Sequence, residues 1–353
     1  MARRPMFRHI AVAALVGSLL IPCGSWAEQP PTLWDRTADA TAARRWSLHR
    51  AATQALMLSQ DDPRDLLVRP TAIETARAAL RADTDALAAD PRLSFDLGAL
   101  EEDRGDHEAA VTILEGALAR APNHPAADDA WITLAYAHSK LDHPERERDC
   151  YEEFLKRSID ASSRATARLN HAESEMRLGR LPEAIDGYRA AFAEAQGAAP
   201  NGSSDTATLA LWGLVVALDR NGDPVASDHE ADLALKLDPE MELIGRSPHV
   251  FFVPAYERNW YLGLGFMHVA RTGADRAARA KAAFAAKVQF EAYVRGANAA
   301  SRRVATTSKT GEADPRAGWT PLAASHVQTA QRLFEALGGA KSLVVSSVKV
   351  GRD

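Results

Sequence analysis

LGALEEDRGDHEAAVTILEGALARAP, residues 97–122, reads as two amphipathic helices joined by a Gly-Asp turn. Small residues stand where two helices would cross (Gly98, Ala110, Ala117), and large ones stand where they would pack (Leu97, Leu100, Ile113, Leu114). Apolar positions recur at i, i+3, i+4 and i+7, the spacing of one buried helix face. The pattern returns with Trp131, Leu134-Ala135, Asp142-His143, Tyr151 and Phe154, and again with Ala172, Gly179-Arg180, Ala184, Tyr188 and Ala191. The turns therefore begin at Gly105, Asp142 and Gly179, a period of 37 residues. Self-similarity at that period predicts an all-α chain built as a solenoid of helical hairpins.

The composition agrees. Of 353 residues, 46% are hydrophobic and 25% charged, as in ordinary folded chains, and alanine is abundant, which favours helices and close helix contacts. The net charge of −5 argues against nucleic-acid binding through phosphate neutralisation.

Residues 1–27 read as a secretory signal. Arg3, Arg4 and Arg8 precede an apolar run from Ile10 to Ile21, and Ser25-Trp26-Ala27 has a small-x-small cleavage shape. The run is too short to span a bilayer comfortably. Export to the periplasm is expected. The alternative is a membrane-anchored lipoprotein, because Leu20-Ile21-Pro22-Cys23 resembles a lipobox whose Cys23 would carry the lipid, although Pro22 stands where a small residue is usual. Membrane association is expected only in that case. Otherwise Cys23 is lost with the signal, and Cys150 remains alone and reads as a small core residue.

Along the mature chain, residues 28–90 read as a divergent N-terminal hairpin, with one helix over 41–59 and a second starting at Pro70. Residues 91–240 read as the array, in units of about 91–124, 127–157, 165–194 and 208–239. In the second unit Glu147 occupies a position that calls for a small residue, which suggests a looser crossing or an outward-reaching stem. Residues 241–340 hold a further unit around Trp260-Tyr261, with a long second helix from about Asp275 to Val294, a mobile linker at 296–318 and a capping helix from Thr320-Pro321. Val250-Phe251-Phe252-Val253 is expected to pack on the array, and residues 341–353 form a tail.

The spacing within each copy resembles the tetratricopeptide repeat, well over 90–240 and loosely over 41–340, and most specifically in the first and third units. Asn170-His171-Ala172-Glu173 and Trp260-Tyr261-Leu262-Gly263-Leu264-Gly265 are similar to phrases in exported, uncharacterised bacterial members. The resemblance implies a right-handed α-solenoid of TPR-like hairpins with a C-terminal capping helix, and a concave groove that binds a protein or peptide segment as a scaffold. The groove positions of that family fall here on Phe95 and Glu102, Ile132 and Tyr136, Glu173 and Met176, and Trp212 and Asp219. Phe95, Tyr136 and Trp212 could equally be core. The family's carboxylate clamp is not matched, since Phe95, Ala99 and Leu169 occupy its polar positions.

Motifs of catalysis are not found. No His-Glu-x-x-His, Cys-x-x-Cys, phosphate loop or Gly-x-Ser-x-Gly elbow occurs, so no catalytic residue, metal or cofactor is expected. His138 and His143, five apart, do not share a helix face, whereas His171 and Glu175 lie one turn apart. A rival enzymatic reading would need His249, Glu257, Arg258 and His268 to converge in a pocket.

Overall fold

The computed structural model describes residues 40–59, 62–198, 205–246, 254–307 and 318–340. The signal segment with Cys23, His249, the Val250–Val253 run, the distal part of the expected linker and the tail lie outside the described residues. The chain divides into a unit Met1–Ala43 and a unit Arg44–Asp353, and the latter holds all that follows except the first residues of α1.

Among the described residues every regular element is helical, and no strand occurs. The helices are α1 (Ala40–Met57), α2 (Pro63–Arg81), the short α3 (Thr84–Ala89), α4 (Pro91–Asp103), α5 (His107–Arg120), α6 (Ala127–Lys140), α7 (Pro144–Leu155), α8 (Ala161–Arg177), α9 (Leu181–Ala198), α10 (Asp205–Arg220), α11 (Pro224–Leu237), α12 (Glu242–Arg246), α13 (Arg258–Thr272), α14 (Arg276–Thr307) and α15 (Thr320–Ala336). A 3₁₀ turn, Ala255–Glu257, precedes α13. From α4 onward the long helices pack chiefly on their neighbours in sequence, as in a repeat array. None is long and apolar enough to cross a membrane.

One turn geometry generates the array. Gly105, Asp142, Gly179 and Gly222 all take left-handed backbone, with φ of 85°, 57°, 75° and 85°. At each, two hydrogen bonds run back into the preceding helix. Asp106 N donates to Glu101 O and Gly105 N to Glu102 O, and the pairs His143–His138 with Asp142–Ser139, Arg180–Glu175 with Gly179–Met176, and Asp223–Leu218 with Gly222–Asp219 repeat the pattern. This is the Schellman closure, which satisfies carbonyls left over at a helix end and requires a residue tolerant of positive φ. Asp142 is the non-glycine case. Aspartate tolerates that region better than most residues, and its Oδ1 accepts from Arg177 Nη2 at 3.0 Å, which ties the turn to the next unit. Asp106 and Asp223, one residue past their turns, then cap α5 and α11 by accepting from Ala109 N and Ala226 N.

Packing follows the small-and-large alternation. Ala110, Leu114 and Ala117 are fully buried, as are Ala184, Tyr188 and Ala191. Gly213 shows the closest fit: a methyl group there would stand 2.2 Å from the Tyr188 ring, so α9 and α10 meet with no room for one.

Three expectations are corrected. The second helix starts at Pro63 and not at Pro70, because Asp62 caps it by accepting from Arg64 N at 2.8 Å and Pro63 suits a first-turn position; Pro70 lies inside the helix. The expected linker is helical as far as Thr307, since the stretch after Val294 is rich in alanine and favours continuation of α14. Glu147 does not reach outward. It is buried and ion-paired with Arg177, whose side chain is equally buried.

Candidate binding surface

The first helices of the units carry the positions expected to line a groove, and the structure splits them into two groups. Phe95, Glu173, Met176, Trp212 and Asp219 are buried, so they cannot present a surface; their assignment to the groove is corrected. Glu102, Ile132 and Tyr136, on α4 and α6, remain half-buried and share one stretch of the array. Burial raises the Glu102 carboxyl and the Tyr136 hydroxyl above their ordinary values.

The reason for the loss lies in α10. Every residue from Ala207 to Arg220 is buried, because α8, α9, α11, α12 and α13 surround the helix. His326 of α15 closes over its end, with Nε2 2.9 Å from Asp219 Oδ2. A first helix that would face open space in a bare array is here the axis of a second core.

That core contains an organised polar cluster. Arg220 and Glu257 form an ion pair with both side chains 1% exposed. The guanidinium lies over the Trp260 ring at 4.4 Å and over the Trp319 ring at 4.0 Å, a cation held between two aromatic faces. Trp260 Nε1 donates to Asp219 Oδ2 at 3.0 Å. On the other side, Tyr188 and Tyr261 hydroxyls both donate to Glu173 Oε2, at 2.5 and 2.8 Å. Arg177 and Arg220 end α8 and α10 at the same distance from their turns, and each is neutralised by a glutamate from a neighbouring unit. These contacts join successive units by buried charge as well as by apolar packing.

Burial pushes the Glu173 carboxyl up to about 7 despite the two tyrosine donors, and it raises Glu147 to about 7 against the opposing pull of Arg177. For Glu173 the folded value lies above the ordinary 4.5, so the native state retains the proton between those values. Its contribution to stability is complete below about pH 4.5 and is lost as pH rises through about 7. Glu173→Gln, fixed neutral and still able to accept from both tyrosines, removes this dependence. Urea unfolding of both proteins at pH 5 and pH 8 should show wild type losing a few kcal/mol relative to the variant at the higher pH. Parallel behaviour would refute the assignment.

Of the residues of the enzymatic reading, Glu257 and His268 face different partners, and His249 lies outside the described residues. Glu257 faces Arg220 and Tyr293. His268 faces Asp228 and Asp232 of α11, at 3.2 and 3.6 Å. His138 and His143 approach after all, with Nδ1 atoms 3.4 Å apart, because the left-handed turn at Asp142 folds His143 back over the helix end. Desolvation lowers His138 to about 4, so it is neutral near pH 7. Cys150 is buried, and burial pushes its thiol up, away from reactivity.

One surface escaped the sequence. Between α1 and α2 lies an open cleft of about 560 Å³, lined by Ala51, Gln54, Ala55, Leu58, Leu67 and Val68, with further residues of α2 behind them. Leu67 is 82% exposed, and Met57, Leu66 and Val68 are more than half exposed beside it. Adjacent exposed apolar side chains of this kind mark interaction surfaces. The sequence signal is Leu66-Leu67-Val68, which falls within α2 because that helix begins at Pro63.

No protein-family model matches the chain, and no curated protein matches it. Among solved structures, it is similar to MamA of MSR-1, with a TM-score of 0.43 and 16% identity over 56% of this chain and 97% of that one. MamA of AMB-1 gives 0.43 and 17% over 56% and 93%. BtubC of P. vanneervenii gives 0.40 and 19% over 60% and 95%.

Proposed function

We propose that this chain is an exported, non-catalytic scaffold that binds a segment of another protein. The observation that carries the reading is the open cleft between α1 and α2, lined in part by the exposed Leu67 and Val68. An amphipathic helix laid along such a cleft would bury its own apolar stripe against these side chains, the helix-in-groove mode of recognition. Glu102, Ile132 and Tyr136 supply a second contact, mixed in character, with a carboxylate suited to a basic residue on the partner. The array supports the role because hairpins stacked through a common turn present extended surface without a closed active-site cavity. Export rests on the basic and apolar pattern of residues 1–27, and the lipoprotein form on Cys23.

Photo-crosslinking tests the surface. A benzophenone side chain at position 67, and another at 136, should yield the same covalent partner in cells. One at Asp186, an exposed position on α9, should yield none. Adducts at 186 equal to those at 67, or no adduct at 67, would refute the proposal.

A further inference from the structure

The array repeats its contacts as well as its turns, and one contact departs from the rule. Eight residues before each turn stand Leu97, Leu134, His171 and Leu214. The three leucines are buried core residues. In the third unit a histidine takes the place, with its side chain 22% exposed. Four residues before each turn stand Glu101, His138, Glu175 and Leu218. This position meets the second helix of the preceding unit. Glu101 meets Arg77 and Arg81 of α2, and His138 meets Glu115 of α5 at 3.7 Å. One period further on, Glu115 becomes Glu152 and His138 becomes Glu175. The register that pairs an acid with a base between the first two units therefore sets acid against acid between the next two, and His171 enters between them.

The geometry is that of a ligand set. His171 Nε2 lies 3.5 Å from Glu152 Oε1 and 3.9 Å from Glu175 Oε1, and the three donor atoms all fall within 4.8 Å of one another. Around a tetrahedral ion with bonds of about 2.0–2.1 Å, donor atoms stand about 3.4 Å apart, so shifts of an ångström or less would close the set. The neighbouring cations leave the donor oxygen of Glu175 open. Arg180 lies 3.5 Å from its other oxygen, Oε2, while Arg148 lies 3.8 Å from Glu152 Oε1. Arg180 thus holds the Glu175 carboxylate from the side away from the donor atom, as outer partners do in metal centres, whereas the exposed Glu152 carboxylate must turn from Arg148 to take up an ion.

We propose that Glu152, His171 and Glu175 bind a divalent transition-metal ion of the zinc class. One imidazole nitrogen and two carboxylates suit such an ion, and two negative charges balance it. Glu175 is buried while Glu152 and His171 reach solvent, so the ion has an entry path and a coordination position open to water. Because Glu152 stands on α7 and the other two on α8, the ion staples the second unit to the third.

The test uses the full chain, freed of metal with a chelator. Titration with Zn²⁺ should show one equivalent bound at micromolar concentration, with a rise in melting temperature that chelator reverses. Co²⁺ should give visible absorption of a site with nitrogen and oxygen donors. His171→Leu restores the residue that the other units carry. It should leave the metal-free melting temperature unchanged or higher and abolish the Zn²⁺-dependent rise. Glu152→Gln should weaken binding at least tenfold. His143→Ala, which breaks the contact of His143 with His138, should bind as wild type does. No binding below millimolar Zn²⁺, or binding that survives His171→Leu and disappears in His143→Ala, would overturn the proposal.

Discussion

Replacing Arg220 with Met should destabilise the protein by about 3–5 kcal/mol, the scale for stripping one partner from a buried ion pair. The size follows from what remains. Glu257 is 1% exposed, and losing the guanidinium removes its ion-pair partner and leaves the weaker Tyr293 hydroxyl contact at 3.5 Å. The substitution also removes the cation held between Trp260 and Trp319. Adding Glu257→Gln to Arg220→Met should recover much of the loss, because a neutral glutamine costs far less to bury than an unpaired carboxylate. The double variant should therefore unfold at higher urea than Arg220→Met alone. A double variant at least as unstable as the single one would show that the ion pair is not the source of the effect.

Trp212→Ala should cost about 3–5 kcal/mol, the range for truncating a large core aromatic. Trp212 is fully buried at the centre of α10, in a cluster with Tyr188, Met241, Trp260 and Tyr261. The substitution opens a cavity in a helix enclosed on all sides, where neighbours have little freedom to collapse. Chemical denaturation followed by circular dichroism measures it. A variant that kept wild-type stability would return Trp212 to the groove position its register suggests.

Those two residues show where sequence reading reached and where it stopped. The hairpins were legible because each ends in the same local event, a left-handed residue followed by a cap, and glycine at 105 and 179 announces that event without reference to the rest of the molecule. The burial of α10 was not legible. Its register matches a groove-facing helix, and it is enclosed only because α12, α13 and α15 return over it, which is a tertiary fact. Glu173 and Asp219 looked like acidic points on a surface because a buried carboxylate and an exposed one are the same letter; their partners Tyr261 and His326 lie 88 and 107 residues away. Pro70 misled by its usual meaning, since Asp62-Pro63 was the stronger start and the proline inside the helix concealed that Leu66, Leu67 and Val68 are helical. The contact of Glu152 with His171 was also hidden, although the one-turn spacing of His171 and Glu175 was plain.

The most direct test of the binding role compares what wild type and Leu67→Glu retain when the full chain is captured from a crosslinked envelope fraction, with Asp186→Lys as a surface control. Leu67 is so exposed that the charge should leave folding intact. The account predicts that the protein crosslinked at position 67 is retained by wild type and Asp186→Lys and lost from Leu67→Glu at unchanged melting temperature. Equal retention by all three would contradict it.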